Sequence, residues 1–399
     1  MHATDATSRA LTGAGGGPAK LHVLHAYKIY KPDVEGGIPA VIATLTRMAD
    51  PGVVDSEVLT ARKLGWFRRS RDGSVPVTAV SSLGDLMSTP LAPTLPFWVV
   101  SRARQADVLV HHAPFPLTDL AIALAMPRRT ALIVYWHGEI VGRSLVKRIL
   151  TPLFRRALAR ADAIVVSNEV MVENSPLLRP FADKCISIPF GIDTAYWREL
   201  DDRQRKAVDE LRRARPRLIV ALGRLVGYKG FDILLQAIKR IDARAVIIGE
   251  GPLRTELAAL ADHLGISDRL TLAGRLPRDE VKALLHAADV FAMPSTMIAE
   301  GFGLAQLEAM SAGRPVVNTS LPTAAPLVAR NDLEGLTVPP GDPVALADAL
   351  DRLLRDPSLA QRLGAAGQAR AHAEFDQTIF VTRFENLCQR VVQDRCNAR

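Results

Sequence analysis

The chain has 399 residues, of which 48% are hydrophobic and 5% aromatic, and it carries a formal net charge of +8. That length suffices for two domains, each with its own core, and the composition excludes a disordered or fibrous chain. No run of about 18 uncharged apolar residues occurs, and the stretch 1–19 lacks the apolar centre of a signal peptide, so a membrane span and export are not expected. Three scattered cysteines, Cys185, Cys388 and Cys396, are too few for a disulfide framework or a metal cage and read as reduced thiols of a cytoplasmic protein. The positive charge is uneven: residues 1–200 hold 23 Lys and Arg against 17 Asp and Glu, and residues 201–399 hold 27 against 25.

In chain order, residues 1–19 read as a disordered tail, rich in Ala, Thr and Gly. A first α/β unit opens with the strand Leu21 to His25, a loop through Pro32, Gly36 and Gly37, and a helical pattern from Ile38 to Met48. Short apolar runs at Val108 to Val110, Ala131 to Tyr135 and Ala163 to Val166 read as buried parallel strands. Between the last two lies Val141 to Arg160, with Arg143, Lys147, Arg148, Arg155, Arg156 and Arg160 among Leu145, Ile149, Leu150, Leu153, Phe154 and Leu158. This stretch admits two readings: a helix resting on anionic lipid, assisted by the segment Arg62 to Arg71 with Trp66 and Phe67, or an amphipathic helix packed on the sheet with a solvated basic face. No nucleic-acid motif accompanies the charge.

The first domain is expected over 20–196. The charged stretch Arg198 to Arg217 reads as a joining segment, and a second strand-led unit opens with Arg217 to Leu222, a loop from Gly223 to Gly230 and a helix from about Asp232. Further strands are expected at Ala245 to Ile248, Leu270 to Leu272, Val290 to Ala292 and Val316-Val317. The second domain spans 197–375, and a terminal helix falls within 376–399. Each unit has the pattern of a doubly wound parallel sheet, in which ligands collect at the strand carboxyl ends.

The richest segment runs from Pro294 to Val317. Glu300 and Glu308 stand eight residues apart around Gly301-Phe302-Gly303-Leu304; Leu304, Leu307 and Met310 recur at helical spacing, and Gly313 and Pro315 stop the helix. Backbone N–H groups from Gly301 to Leu304 would point at an anion at the helix N-terminus, and the two acids can grip hydroxyls beside it. A sugar nucleotide has that shape. Upstream, Gly223-Arg224-Leu225-Val226-Gly227-Tyr228-Lys229-Gly230 joins a strand to a helix; Arg224 offers a planar fork and Lys229 a compact charge for phosphate oxygens. Ile247-Ile248-Gly249-Glu250-Gly251-Pro252 lacks the third glycine of a dinucleotide fingerprint. In the first half, Gly36 and Gly37 in Glu35-Gly36-Gly37-Ile38 allow close backbone approach, and Trp136-His137-Gly138-Glu139 ends a strand.

These motifs, Glu-x7-Glu before Gly-Arg-Pro-Val-Val, Gly-Arg-Leu-x3-Lys-Gly and Gly-x-Gly-Pro, resemble family-4 retaining glycosyltransferases over about residues 20 to 375. The resemblance implies the GT-B fold, two Rossmann-like doubly wound domains facing a central cleft, with an acceptor-binding first domain, a nucleotide-sugar-binding second domain and a terminal helix returning to the first. It implies that Arg224 and Lys229 stabilise a departing nucleoside diphosphate, that Glu300 and His137 contact the donor sugar, and that Glu308 holds the ribose. By the same resemblance, Gly36 and Gly37 face the donor diphosphate and the acceptor, Gly249 and Gly251 lie near the nucleotide, and Arg275 falls where the base is held. Glu139 stands where the family often has Asp; His111 and His112 could line the acceptor side. The absence of Asp-x-Asp argues against a metal-chelating GT-A enzyme. The expected activity is transfer of a mannose- or glucose-type hexose to a saccharide or polyprenyl-diphosphate-linked acceptor in envelope polysaccharide synthesis, without metal or cofactor, by a cytoplasmic or peripheral membrane protein. The alternatives are another GT-B sugar-nucleotide enzyme such as an epimerase, and a catalytically silent scaffold.

Overall fold

The computed structural model of the chain describes residues 20–34, 36–86, 89–138, 144–214 and 217–398. The expected tail 1–19, Glu35, Glu139, Val141 to Arg143 and the side chains of Leu145 and Lys147 lie outside the described residues. The chain divides into two compact units: the first holds the described residues up to Val166, Leu177–Ile188 and those from Phe380 onward; the second holds Ser167–Pro176 and Pro189–Ile379. The sequence places a boundary near 196. In the structure the main division falls at Ile188/Pro189.

The first unit is built on β1 (Leu21–Ile29), β2 (Val54–Ala61), β3 (Arg68–Asp72), β4 (Val75–Val80), a small hairpin of β5 (Asp85–Leu86) and β6 (Thr89–Pro90), β7 (Val108–Ala113), β8 (Ala131–Trp136), β9 (Ala163–Val166) and β10 (Cys185–Ser187). Its main sheet runs β10-β9-β8-β7-β1-β2-β4-β3, parallel except for β3 against β4. Every residue of β7 and β8 is buried, as expected of central strands covered on both faces. The strand order reverses between β1 and β7, the switch point at which open α/β sheets bind ligands. The helix Gly37–Arg47 buries Val41, Ile42 and Leu45. From Phe380, the terminal helix Gln377–Asn397 belongs to this unit: Phe384 packs on His25 and Tyr135, and Arg395 donates to Asp162 Oδ1 at 2.6 Å.

The second unit carries β11 (Leu218–Leu222), β12 (Arg244–Ile248), β13 (Leu270–Gly274), β14 (Val290–Ala292), β15 (Val316–Thr319) and β16 (Gly335–Val338), all parallel in the order β13-β12-β11-β14-β15-β16. Its switch point lies between β11 and β14. Ile219, Ala221, Ile247, Val290 and Val317 meet Phe231, Leu234, Leu235 and Ile238 of the helix Phe231–Arg240 in one core.

Several elements escape the sequence reading. The stretch expected as a joining segment is instead the helix Asp202–Ala214, which buries Val208 against the helix Arg278–Ala287. Its charges occupy the solvent face, so a composition that reads as a linker is that of a one-stripe surface helix. The strand β2 holds Asp55, Ser56 and Glu57 where an uninterrupted apolar run would mark a buried strand, and β3 is an arginine-rich edge.

Candidate active site

The second unit gathers its motifs at the carboxyl ends of its strands. The loop after β11 brings Lys229 to Glu300, which follows β14: Lys229 Nζ donates to Glu300 Oε2 at 2.5 Å, and Ser295 Oγ donates to the same oxygen at 2.9 Å. Both side chains of the pair are nearly buried, with 13% and 8% exposed. Ser295 carries no signal in the sequence beyond its place after β14, yet it completes this cluster, and its own carbonyl accepts from Thr319 Oγ1 at 2.6 Å. Arg224 is exposed and forms no ion pair among the described residues.

Glu300 runs into the helix Leu304–Ser311 through Gly301, Phe302 and Gly303. Gly303 has φ 78°, and a Cβ there would lie 2.6 Å from the Met293 sulfur, so only glycine turns the chain into the helix at this point. Among the described residues, the N–H groups of Gly301, Phe302 and Gly303 donate to no protein acceptor. They are free donors beside a helix N-terminus, the arrangement that receives an anion. The Phe302 ring is turned inward against Phe190 and Phe375, at centroid distances of 5.0 and 6.0 Å, so only its backbone can serve a ligand.

Gly249 and Gly251 are pinned by the loop after β11: a Cβ would lie 2.0 Å from Gly223 O in the first case and 2.4 Å from Leu225 O in the second. This close packing alone requires both glycines. Gly36, by contrast, precedes the helix Gly37–Arg47 with open space where a Cβ would stand, and both Gly36 and Gly37 are exposed.

Glu308 lines a cavity of about 610 Å³ with Trp197, Leu222, Arg275, Leu276, Pro277, Arg278 and Val281. Burial raises its carboxyl to about 7, against the pull of the Arg278 guanidinium. Arg278 stacks over Tyr196 and Trp197, 4.0 and 5.0 Å from their ring centroids, and Tyr196 donates its hydroxyl to Asp279 at 2.7 Å. The sequence indicated Glu308 and Arg275 but not Tyr196, Trp197 or Arg278, because the aromatic pair is distant in the chain.

In the first unit, His137 follows β8, and its backbone N–H donates to Ala113 O at 3.1 Å. Its imidazole is lowered to about 3 by burial and by His111, so it is neutral at physiological pH and offers a hydrogen bond rather than a charge. His111 meets Asp119 at 3.0 Å and His112 meets His137 at 2.8 Å. The basic helix is described from Ser144 to Arg160. Phe154, Ala157 and Leu158 are buried, and Arg160 bonds Asp162 and the Thr130 carbonyl. Arg148, Arg155, Arg156 and Ile149 are exposed. Among the described residues, no group of three or more His, Cys, Asp or Glu side chains is placed to hold a metal.

Comparison with known proteins gives this geometry a place. The chain superposes on Anabaena Alr3699/HepE, solved in complex with UDP, with TM-score 0.76 and 20% identity, covering 92% of this chain and 100% of that one. It superposes likewise on sucrose-phosphate synthase from Thermosynechococcus elongatus, with TM-score 0.77 and 19% identity, covering 94% and 100%. The fold is therefore GT-B, with two Rossmann-like parallel-sheet domains. Residues 202–370 match glycosyl transferases group 1, and residues 36–191 match the glycosyl transferase 4-like domain.

Among relatives, the D-rhamnosyltransferase WbpZ of Pseudomonas aeruginosa is 29% identical, covering 88% of this chain and 91% of its own length. The O-antigen chain mannosyltransferase C of Escherichia coli is 27% identical over 94% and 100%. A GDP-mannose-dependent alpha-(1-6)-phosphatidylinositol monomannoside mannosyltransferase of Mycobacterium tuberculosis is 32% identical over 64% and 69%. The chain belongs to the family-4 GT-B glycosyltransferases and is a glycosyltransferase.

Proposed function

We propose that the enzyme is a retaining, metal-independent hexosyltransferase that moves a manno-configured sugar from a nucleoside diphosphate to a saccharide or polyprenyl-diphosphate-linked acceptor in envelope polysaccharide synthesis. The observation that carries this reading is the Lys229–Glu300–Ser295 cluster beside the free N–H groups of Gly301 to Gly303. The names of the rhamnosyl- and mannosyltransferase relatives support the sugar series and the pathway, and the GDP-mannose dependence of the mycobacterial relative supports a GDP donor.

In this mechanism Arg224, Lys229 and the loop N–H groups stabilise the developing charge on the leaving diphosphate. Glu308 accepts from the ribose hydroxyls, and the cavity lined by Arg275 and Arg278 takes the base. Glu300 contacts the sugar hydroxyls as positive character develops at the anomeric carbon, and the family resemblance gives the neutral His137 a sugar contact as well. The acceptor hydroxyl attacks on the face the diphosphate leaves, the C–O bond to the diphosphate breaks as the new glycosidic bond forms, and the acceptor proton passes to a diphosphate oxygen. Acceptor selection falls to the first domain.

The membrane reading gains support from another part of that domain. Leu64, Trp66, Phe67, Leu83, Leu91 and Phe97 are exposed, Trp66 by 86%. They lie together: Gly65 bridges Ser82, Leu83 N donates to Leu91 O, and Phe67 stacks on Trp98 at 5.2 Å. With exposed Lys63, Arg69 and Arg71 alongside, this aromatic and basic surface suits an anionic lipid interface.

The test is transfer from GDP-mannose and UDP-glucose to a lipid-linked saccharide, with the product anomer read by NMR and a chelator present. An α-linked product from an α-linked donor, with nucleoside diphosphate released only when acceptor is added, is expected. An inverted product, chelator-sensitive transfer, or a change in the donor's sugar without acceptor refutes the proposal.

A further inference from the structure

The first unit contains a line of histidines that transfer chemistry alone does not explain. His25 lies in β1 and His112 in β7, central strands that flank the switch point, and His137 follows the end of β8. His25 Nδ1 is 3.0 Å from His112 Nε2, and His112 Nδ1 is 2.8 Å from His137 Nε2. His25 and His112 are 1% and 0% exposed, in strands whose other positions are mostly aliphatic. Such polar groups persist in a core only when their hydrogen bonds are satisfied, and here both nitrogens of His112 are taken up by its two neighbours.

The rings are also held in place. His25 stacks on His112 at 5.3 Å, His112 on His137 at 5.1 Å, and His137 on Tyr135 at 4.7 Å with 3° between planes; Tyr27 closes on His112 and His137 edge-on. The nitrogens face one another in series rather than converging on a point, so the arrangement is not a metal cage. Burial keeps the imidazoles neutral: His25 and His137 are lowered to about 3, and His112 falls well below its ordinary value through burial and then through His137, His25 and His111.

A neutral imidazole has one N–H and one lone pair. His112 spends both inside the line, so one choice fixes all three rings. With the proton on His112 Nδ1, that nitrogen donates to His137 Nε2, His25 must donate from Nδ1, and His137 carries its proton on Nδ1. With the proton on His112 Nε2, every bond reverses, and His137 donates from Nε2. Any mixed state sets two N–H groups, or two lone pairs, against each other in a dry core, where a lost hydrogen bond costs about 1–3 kcal/mol.

We propose that His25 and His112 are positioning residues which couple their own tautomers to that of His137 and hold its ring orientation through this two-bond relay. The link to catalysis rests on the role proposed above for His137; the relay itself does not. The test is nitrogen NMR of the full chain labelled with [¹⁵N]histidine, which reads the tautomer of each ring. In the unaltered protein, the three rings are expected to show single tautomers matching one of the two concerted directions. In His112→Phe, which keeps an aromatic ring in the stack, His137 is expected to shift to a tautomer mixture, and kcat to fall about tenfold with donor KM little changed. His25→Leu should act likewise at one remove, and His25→Asn, which restores a donor or acceptor near the Nδ1 position, should recover the single tautomer. Unchanged His137 shifts in folded His112→Phe and His25→Leu overturn the relay. Shifts that change as expected while both these variants and His137→Ala transfer at the normal rate leave the relay standing and refute the role of His137 in transfer.

Discussion

The two units share a topology and differ in chemistry. Each has a sheet, parallel but for β3 in the first, whose order reverses beside its first strand, between β1 and β7 in one and between β11 and β14 in the other. At its strand ends, the second unit places glycine loops, a cation paired with a carboxylate, and free backbone N–H groups. The first places neutral imidazoles and tyrosines in stacked layers. A doubly wound sheet therefore fixes where a ligand can sit, and the residues on its strands and loops there decide whether the place suits a diphosphate or a polar, uncharged carbohydrate.

The largest effect is expected where the second unit concentrates charge. Lys229→Ala should lower transfer about a thousandfold. It also leaves Glu300 without its partner at a nearly buried position, which costs about 3–5 kcal/mol, so stability must be followed by thermal unfolding. The pair Lys229→Met with Glu300→Gln removes both charges and should recover most of the stability while remaining inactive. Recovery of transfer in that pair would show that the charges serve the fold alone.

An intermediate effect is expected from Glu308. Its carboxyl ionises at about 7 rather than at its ordinary value, because burial disfavours the charge. Ribose hydroxyls donate best to the ionised form, so nucleotide affinity should rise about tenfold from pH 6 to pH 8, and Glu308→Gln should flatten the profile. On the ligand-free fold the sign is opposite. The raised value means that the native state favours the protonated form, so the stabilising contribution is complete below the ordinary carboxyl range and is lost as pH rises through about 7. Calorimetric titration and thermal unfolding at matched pH values check the two signs separately.

The smallest effect sharpens the first unit's side of the comparison. Trp66→Ser combined with Phe97→Ser removes two exposed aromatics and should weaken sedimentation with phosphatidylglycerol vesicles roughly tenfold, without altering donor binding. Equal partitioning onto neutral phosphatidylcholine vesicles would remove the electrostatic part of that reading.

Much of this was legible in the sequence for a physical reason. The strands β1, β7, β8, β11, β12 and β14 are buried on both faces and so appear as plain apolar runs, and a glycine loop leading into an amphipathic helix announces a strand end facing a ligand. What remained hidden depends on contacts between distant segments. Ser295 and Glu300 are close in sequence, but their meeting with Lys229 is made by the sheet. Tyr196 and Trp197 meet Arg278 from more than eighty residues away in the chain. His25, His111 and His112 each look like an isolated histidine on an apolar strand until the parallel register sets His25 beside β7. The helix Asp202–Ala214 was obscured by its own charge, since Val208 is its one buried side chain.

The central claim is that the second unit's cationic loop holds a nucleoside diphosphate and that the first unit's histidines do not contribute to that hold. Isothermal titration of the full chain with GDP and with UDP, in the absence of acceptor, addresses it directly. The account predicts binding of one of them by the unaltered protein, a loss of at least about tenfold in Arg224→Ala with Lys229→Ala, and an unchanged dissociation constant in His137→Ala. Equal affinity in the Arg224, Lys229 variant, with the fold intact, would contradict it.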